Sequence, residues 1–157
     1  MNKKIIILTI IVILGVVAVS GCIGGNQNST NTITFNGYSF EVPREVTGDA
    51  SVEGSNALLF LGNTTFDIGT NETYGYVNPN ELISEGTTEN RTVDNITYLY
   101  NSQNGNPDFN QENLITIQVF FTKNNVQYYI LVHAEKGQNI SQIDSIIQSI
   151  IKTIKPI

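Results

Sequence analysis

The chain has 157 residues, of which 40% are hydrophobic, with seven Tyr, seven Phe and a charged fraction of only 14%. This composition excludes an intrinsically disordered chain and predicts one ordered domain. The formal net charge is −6 and no basic stripe occurs, so the acidic chain is not expected to bind nucleic acid.

The first 22 residues have the layout of an export signal. A basic start, Met1–Lys4, precedes an apolar run, Ile5–Val19, and the tetrapeptide Val-Ser-Gly-Cys at residues 19–22 follows. An aliphatic residue, two small residues and Cys are typical of the lipobox of secreted lipoproteins, in which small residues admit the peptidase and the Cys thiol takes the lipid. We expect a signal peptide at residues 1–21 and a lipid on Cys22, the single Cys of the chain. The lipid would hold the protein on the extracytoplasmic side of the cell membrane.

An uncleaved membrane helix is the alternative to a lipid anchor. The apolar run approaches the roughly 20 residues that cross a bilayer. In this case too the domain faces outward, because the lysines before the run remain inside.

The segment after the lipobox predicts a tether and then a hairpin. Residues 22–31 are rich in Gly and Asn, which favours a flexible tether and leaves residues 32–157 for the domain. Residues 32–42 alternate polar and apolar around an Asn-Gly pair at residues 36–37. Asn-Gly favours a type I′ turn, whose two central residues have positive φ. Pro43 should end the second strand, since proline has no N–H to donate.

The middle of the chain predicts strands and one short helix. Residues 44–55 are expected to form a loop, residues 56–62 a buried strand, residues 65–69 its partner and residues 74–77 a further strand. Pro79 at a first helical position, with Asn78 as N-cap, predicts a short helix over residues 79–84.

Two further hairpins are predicted in the second half of the chain. Residues 91–93 and 96–100 flank Asp94-Asn95, and residues 114–123 and 126–134 flank Asn124-Asn125. Alternation places these apolar side chains of the longer hairpin on one face: Ile115, Ile117, Val119, Phe121, Tyr128, Ile130 and Val132. The polar residues 101–113 between the hairpins are expected to form a loop.

The end of the chain changes to a helical period. Apolar residues recur at helical spacing, namely at Ile143, Ile146, Ile147, Ile150, Ile151 and Ile154. Ser141 and Asp144 fit a capping box at the start of this helix. Ile is not a strong helix former, so packing must hold the helix in place. The elements together predict an α+β fold, an antiparallel sheet packed by a C-terminal amphipathic helix.

Three segments carry a resemblance to a known family: Phe40-Glu41-Val42-Pro43 after the first strand, the late hairpin Leu114–Ala134 and the closing helix Ile143–Ile150. In these segments the chain resembles the PsbP-like domains, which are related in fold to a yeast Ran-binding protein. The resemblance covers most of Ile33 to Lys155 and implies an α/β sandwich, with no implied activity. The leader and the Ile- and Asn-rich style resemble small surface lipoproteins of methanogenic archaea, so a photosynthetic role is not implied.

Oxygen-bearing side chains alternate in the predicted loop, at Asn104, Asn106, Asp108, Asn110 and Glu112. A calcium-binding EF-hand loop needs Gly at its sixth position and Glu at its twelfth. Counted from Asn104, those positions hold Phe109 and Ile115. A plain polar loop is the favoured interpretation, and no metal or other cofactor is expected.

His133 is the single His, near the end of a predicted strand. With no Cys in the body it cannot build a zinc site of ordinary type, and no nucleophile is recognisable beside it. A partly exposed strand residue is expected. Six tyrosines are candidates for an aromatic recognition surface, although alternation favours half-buried sheet positions: Tyr74, Tyr76, Tyr98, Tyr100, Tyr128 and Tyr129.

Six Asn-x-Ser/Thr sequons occur, at Asn28, Asn63, Asn71, Asn90, Asn95 and Asn139. An exported domain can be N-glycosylated at such positions, which would place them on the surface. Asn139 is the least expected of the six, because it lies at the start of the predicted last helix.

Two function hypotheses follow from this reading. The first is a membrane-anchored lipoprotein with a noncatalytic binding domain and an unidentified extracytoplasmic protein partner, since no catalytic motif is recognisable. The alternative is a solute- or calcium-binding lipoprotein, or a weak hydrolase, that uses residues 101–113. A filled core with a flat face favours the first, and a deep pocket with converging polar groups favours the second.

Overall fold

The computed structural model describes residues 30–50, 56–74, 78–82, 85–105 and 112–157. The predicted export signal, Cys22 and most of the predicted tether lie outside these ranges. The described strands are β1 Thr30–Phe35, β2 Tyr38–Pro43, β3 Thr47–Ala50, β4 Ala57–Leu61, β5 Thr64–Thr70, β6 Thr87–Val93, β7 Ile96–Asn104, β8 Leu114–Lys123, β9 Val126–Glu135 and β10 Lys155–Pro156. The described helices are α1 Asn71–Tyr74, α2 Pro79–Leu82 and α3 Ile140–Thr153.

The strands form two antiparallel sheets. The larger sheet has seven strands in the order β3-β4-β5-β9-β8-β7-β6, and the smaller has three in the order β1-β2-β10. The helix α3 follows β9 along the chain and lies against β2 and β6. The fold is therefore mostly antiparallel sheet with one long C-terminal helix, an α+β arrangement.

Two-residue turns set the register of three hairpins. The β1–β2, β6–β7 and β8–β9 connections place both of their central residues at positive φ: Asn36 and Gly37, Asp94 and Asn95, and Asn124 and Asn125. This is the geometry of a type I′ turn, whose twist matches that of the flanking strands. The three predicted hairpins are confirmed, with β6 and β7 longer than expected.

The core joins buried residues of α3, of the smaller sheet and of one face of the seven-stranded sheet, which we call the inner face. The predicted isoleucine stripe of α3 is buried along its whole length. It joins these buried residues of the longest hairpin in one cluster: Ile117, Val119, Phe121, Tyr128, Ile130 and Val132. The opposite, outer face carries Leu58, Asp67 and Leu131, which share a row across β4, β5 and β9. The buried apolar side chains lie mainly on the inner face, as the period of two along each strand predicts, although Asn101, Thr116 and Phe120 of the outer face are also buried.

Polar contacts fix the position of α3 over the strands. The Ser149 hydroxyl donates to the Glu41 carbonyl at 2.9 Å, and the Glu41 N–H donates to the Thr153 hydroxyl at 2.8 Å. At the C-terminal end, Lys123 Nζ donates to the carbonyls of Ile151 and Lys152, at 3.1 and 2.7 Å. A cation there satisfies otherwise unpaired carbonyls and favours the negative end of the helix dipole.

Three predictions for the first half of the chain need correction. The predicted loop 44–55 contains β3, whose pairing with β4 is not readable from its own residues. Residues 56–62 were expected to form a buried strand, but β4 alternates, and Leu58 and Phe60 are exposed. Tyr74 ends α1 rather than starting a strand, and residues 75–77 lie outside the described ranges. The short helix predicted over residues 79–84 is confirmed over Pro79–Leu82 with its Asn78 cap, since Asn78 Oδ1 accepts from the Asn80 N–H, and residues 83–84 lie outside the described ranges.

Two predictions for the second half are also wrong in part. The loop predicted over residues 101–113 starts later in the chain than expected, because residues 101–104 continue β7 and pair with β8. The capping box at Ser141 does not form. Asn139 is the N-cap of α3, and its Oδ1 accepts from the Gln142 N–H at 3.3 Å. Asp144 instead points toward β6, as described below.

Candidate functional site

A cleft opens where the start of α3 meets the inner face of β6, β7 and β8. Its volume is about 270 Å³. The apolar part of its lining consists of Ile115, Ile117 and Ile140. The polar part includes Thr87, Ser102 and Asn104, together with Arg91 and Tyr100.

The strand register explains why polar groups gather at this point. Thr87 pairs with Ser102, and Ser102 pairs with Ile117, so the three lie in one row across the sheet. Side chains in a row point to the same face. The helix begins only at Ile140, so this end of the inner face is lined by the first turn of α3 and not covered by its length.

A charged cluster adjoins the cleft through Arg91 and Tyr100, which line it. Arg91 Nη2 lies 2.6 Å from Glu89 Oε1, and Arg91 Nη1 lies 3.1 Å from Asp144 Oδ2. The guanidinium carbon also lies 3.5 Å from the centre of the Tyr100 ring, a cation–π contact. Asp144 Oδ1 is buried and makes no hydrogen bond within the described ranges. The cluster joins two carboxylates and one guanidinium, so its net charge is −1.

The electrostatics hold Arg91 and Tyr100 in single protonation states. Burial lowers the pKa of Arg91, but the hydrogen bond to Glu89 and the charge of Asp144 outweigh it and raise the pKa overall. Burial raises the pKa of Tyr100 to about 12, and the Asp144 carboxylate adds to this effect. Arg91 is therefore charged and Tyr100 neutral across the physiological range, which suits binding better than proton transfer.

His133 lies on the outer face, away from the cleft. It is half-buried between Thr65 and Thr116 in the strand register, as expected for a strand residue. Burial lowers its pKa, and the charge of Asp67 opposes this. The Thr116 hydroxyl lies 3.4 Å from His133 Nδ1, but it also donates to the Gly105 carbonyl. A hydroxyl that donates to a carbonyl is not activated as a nucleophile.

Asp67 is held by a neighbouring amide. Asn56 Nδ2 donates to Asp67 Oδ1 at 2.9 Å. Burial raises the pKa of Asp67, while the hydrogen bond from Asn56 and the charge of His133 oppose this. The pair therefore forms a polar patch on the outer face that no sequence motif indicated.

The structure describes only part of the other predicted sites. Asn104 ends β7 and Glu112 is exposed, but residues 106–111 lie outside the described ranges, so the calcium-like pattern stays a prediction. Of the tyrosines, Tyr98, Tyr100 and Tyr128 are buried and Tyr129 is half-buried.

The described sequons occupy different environments. Asn90 and Asn95 are exposed, the first on β6 and the second in a turn. Asn63 is also exposed, and its Nδ2 donates to Glu135 Oε1 at 3.1 Å. Asn71 is half-buried at the start of α1, and Asn139 serves as a helix cap. Asn28 lies outside the described ranges.

Sequence reasoning missed the charged cluster beside this cleft. Arg91 and Asp144 are 53 residues apart, and no motif links them. Arg91 was assigned to a hairpin strand and Asp144 to a helix cap. A signal was nevertheless present, since Arg91 shares a strand face with buried Val93, and a charge there requires a partner.

Within the described ranges, no group of three or more His, Cys, Asp or Glu residues lies close enough to hold a metal ion. Among the helices of the same ranges, none has the length and apolarity needed to cross a membrane.

No family model matches this chain, and no curated protein matches it by sequence. Its fold is similar to that of a protein from Bacteroides thetaiotaomicron VPI-5482, with a TM-score of 0.53 and 11% identity, covering 77% of this chain. This chain spans 45% of the length of that protein. A solution structure of cyanobacterial PsbP (CyanoP) from Synechocystis sp. PCC 6803 is also similar, with a TM-score of 0.49 and 10% identity, covering 87% of this chain and 97% of that one. At 11% identity the first likeness concerns the fold alone.

Proposed function

We propose that this chain is a lipid-anchored extracytoplasmic protein whose noncatalytic, PsbP-like domain binds a ligand or partner at the cleft beside Arg91. The anchoring rests on the lipobox at residues 19–22. The PsbP-like assignment rests on the sequence resemblance together with an antiparallel sheet and a closing helix. The binding role rests on one observation, a cleft whose ionic groups are paired with one another.

The chemistry of the cleft favours an amine- or amide-bearing group. The net negative charge of the cluster beside the cleft repels anions and favours a cationic or N–H-donating group. The isoleucine lining can take an apolar portion of the same ligand. The group could belong to a small solute or to a segment of a partner protein, and both share this chemistry.

Binding can be tested by NMR on the full chain in detergent micelles, with three small probes. Glycinamide carries an ammonium and an amide, acetamide is neutral, and acetate is an anion. We expect glycinamide to shift the resonances of Tyr100, Ser102 and Ile140 most strongly, and acetate to leave them in place. Shifts caused by acetate alone, or by none of the three probes, would argue against the proposal.

Asp144→Asn is the matched variant for this titration. The substitution preserves the size of the side chain and removes one carboxylate, so the cluster becomes neutral. We expect the response to glycinamide to weaken by about tenfold in apparent affinity, which corresponds to roughly 1.4 kcal/mol. Leu58→Ala, on the exposed outer face, should leave the titration unchanged.

The anchor requires a separate measurement. Mass spectrometry of protein extracted from the membrane fraction should find a chain that begins at Cys22 and carries added lipid mass. In the Cys22→Ser variant the lipid mass should be absent. An intact chain from Met1 in the membrane would support the uncleaved helix instead, and an intact chain in the cytosol would refute both anchors.

A further inference from the structure

Among the described strands, β6 lies at one edge of the seven-stranded sheet. It pairs with β7 on one side and ends the strand order on the other. Residues 87–90 are all exposed. An exposed edge presents N–H and C=O groups to which another strand can add.

The β6–β7 turn determines which residues of β6 face outward along the edge. It has two residues, Asp94 and Asn95, both at positive φ, and it is closed by the pair Val93 and Ile96. In a hairpin of this type the closing pair is hydrogen-bonded, and hydrogen-bonded pairs alternate along the ladder. Residues at odd positions of β6 therefore bond to β7. The backbone groups of Thr88, Asn90 and Thr92 point away from it.

We propose that β6 pairs with β6 of a second copy of this chain, antiparallel about a two-fold axis at Asn90. In this register Asn90 faces Asn90 of the second copy, and Thr88 faces Thr92 of the second copy. Every outward N–H and C=O of the three residues then finds a partner. A two-fold interface needs such a self-complementary surface.

Charge complementarity favours this register over its neighbours. Glu89 and Arg91 share one face of β6, and the proposed register places each Glu89 opposite Arg91 of the second copy. A shift by two residues in one direction would place Glu89 opposite Glu89, and in the other direction Arg91 opposite Arg91. Like charges directly opposite one another destabilise a strand pair, whereas unlike charges stabilise it. Glu89 already pairs with Arg91 of its own chain, but 52% of its side chain is exposed, so its carboxylate stays accessible to a second copy.

The sequon at Asn90 has a consequence for this pairing. Asn90 lies on the outer face at the proposed axis, where two glycans would crowd each other. The proposal therefore requires that Asn90 of a paired chain carries no glycan. Complete occupancy of Asn90 in protein isolated from its native membrane would overturn the proposal.

Disulfide trapping of the full chain in membranes tests the register. Facing residues of a hydrogen-bonded antiparallel pair have Cα atoms about 5.5 Å apart, within the roughly 4.4–6.8 Å that a disulfide accepts. We expect Asn90→Cys to cross-link to a covalent dimer under mild oxidation. Thr88→Cys alone should not, although it should cross-link when co-expressed with Thr92→Cys.

The controls distinguish specific strand pairing from random collision between chains. The wild type, with Cys22 alone, measures background cross-linking by the anchor segment. Equal cross-linking of Asn90→Cys and Thr88→Cys expressed singly would mean random collision and would overturn the proposal. So would a failure of both Asn90→Cys and the co-expressed pair to exceed the wild type.

A charge exchange tests the contacts across the axis, in the Asn90→Cys background. Glu89→Arg and Arg91→Glu each place like charges opposite one another at two positions of the strand pair. Expressed alone, each variant should therefore cross-link about tenfold less, the effect expected from two unfavourable cross-strand pairs. Co-expression of the two variants restores unlike pairs and should restore cross-linking. The rescue also shows that both variants fold. Undiminished cross-linking of the single variants, or no rescue on co-expression, would contradict the proposal.

Discussion

Tyr128 shows how one buried residue can carry a stability cost. Its ring stacks on Phe121 with centroids 5.1 Å apart, and it meets the edge of Tyr38 at 5.5 Å. Its hydroxyl oxygen is buried without a hydrogen-bond partner in the described part of the chain. Burying an unpaired hydroxyl costs free energy, and Tyr128→Phe retains the ring while removing that group.

We therefore expect Tyr128→Phe to raise the free energy of unfolding by about 1 kcal/mol. Urea denaturation of wild type and variant at neutral pH provides the measurement. A decrease of similar size would show that the hydroxyl has a partner, such as a buried water molecule.

Alkaline pH should destabilise the fold through the same residue. Burial raises the pKa of Tyr128 to about 12, from an ordinary value of 10. The folded protein holds this proton more tightly than the unfolded chain does. The stabilisation is thus complete below pH 10 and is lost as the pH rises towards 12. Denaturation curves across this range should show a fall that is smaller in Tyr128→Phe. Tyr100, whose pKa is also raised to about 12, accounts for part of the remaining fall.

At the scale of the elements, the N-cap of α3 can be tested by mutation, because the sequence pattern and the structure assign it to different residues. The pattern around Ser141 indicated a capping box, whereas the structure places the cap at Asn139. We expect Asn139→Ala to lower the free energy of unfolding by about 1 kcal/mol, because the Gln142 N–H loses its side-chain acceptor and keeps only the Asn139 carbonyl. Ser141→Ala is the matched control and should change stability by less than about 0.5 kcal/mol. If urea denaturation showed Ser141→Ala to be the more destabilising of the two variants, the capping box at Ser141 would be supported instead.

Local sequence patterns predicted the hairpins well, because the residues that form each turn are adjacent in the chain. Asn-Gly and Asn-Asn pairs between alternating runs identified hairpins, because only a few residue types tolerate positive φ. The strands β3 and β10 carry no such signal. β3 exists through pairing with β4, and β10 through pairing with β2. The cleft escaped prediction for the same reason, since strand register and helix placement bring Arg91 and Asp144 together.

At the scale of the molecule, the two sheets and α3 share one hydrophobic core. Buried residues of β2, such as Phe40 and Val42, belong to the same cluster as Ile150 of α3 and Ile130 of β9. The hydrogen bond from the Ser149 hydroxyl to the Glu41 carbonyl of β2 adds a polar contact. A shared core makes the stability of the small sheet depend on the helix, so the two sheets should not unfold separately.

A cavity in the shared core tests this dependence. Ile150 is fully buried, and Ile150→Ala removes its packing against both sheets. We expect a loss of about 2–5 kcal/mol in the free energy of unfolding, the range for large-to-small core substitutions. Leu58→Ala, on the exposed outer face, should cost far less. In both variants, tyrosine fluorescence and far-UV circular dichroism should report one coincident transition during urea denaturation. Separate transitions in Ile150→Ala would mean that the folding of the small sheet does not depend on its packing against α3.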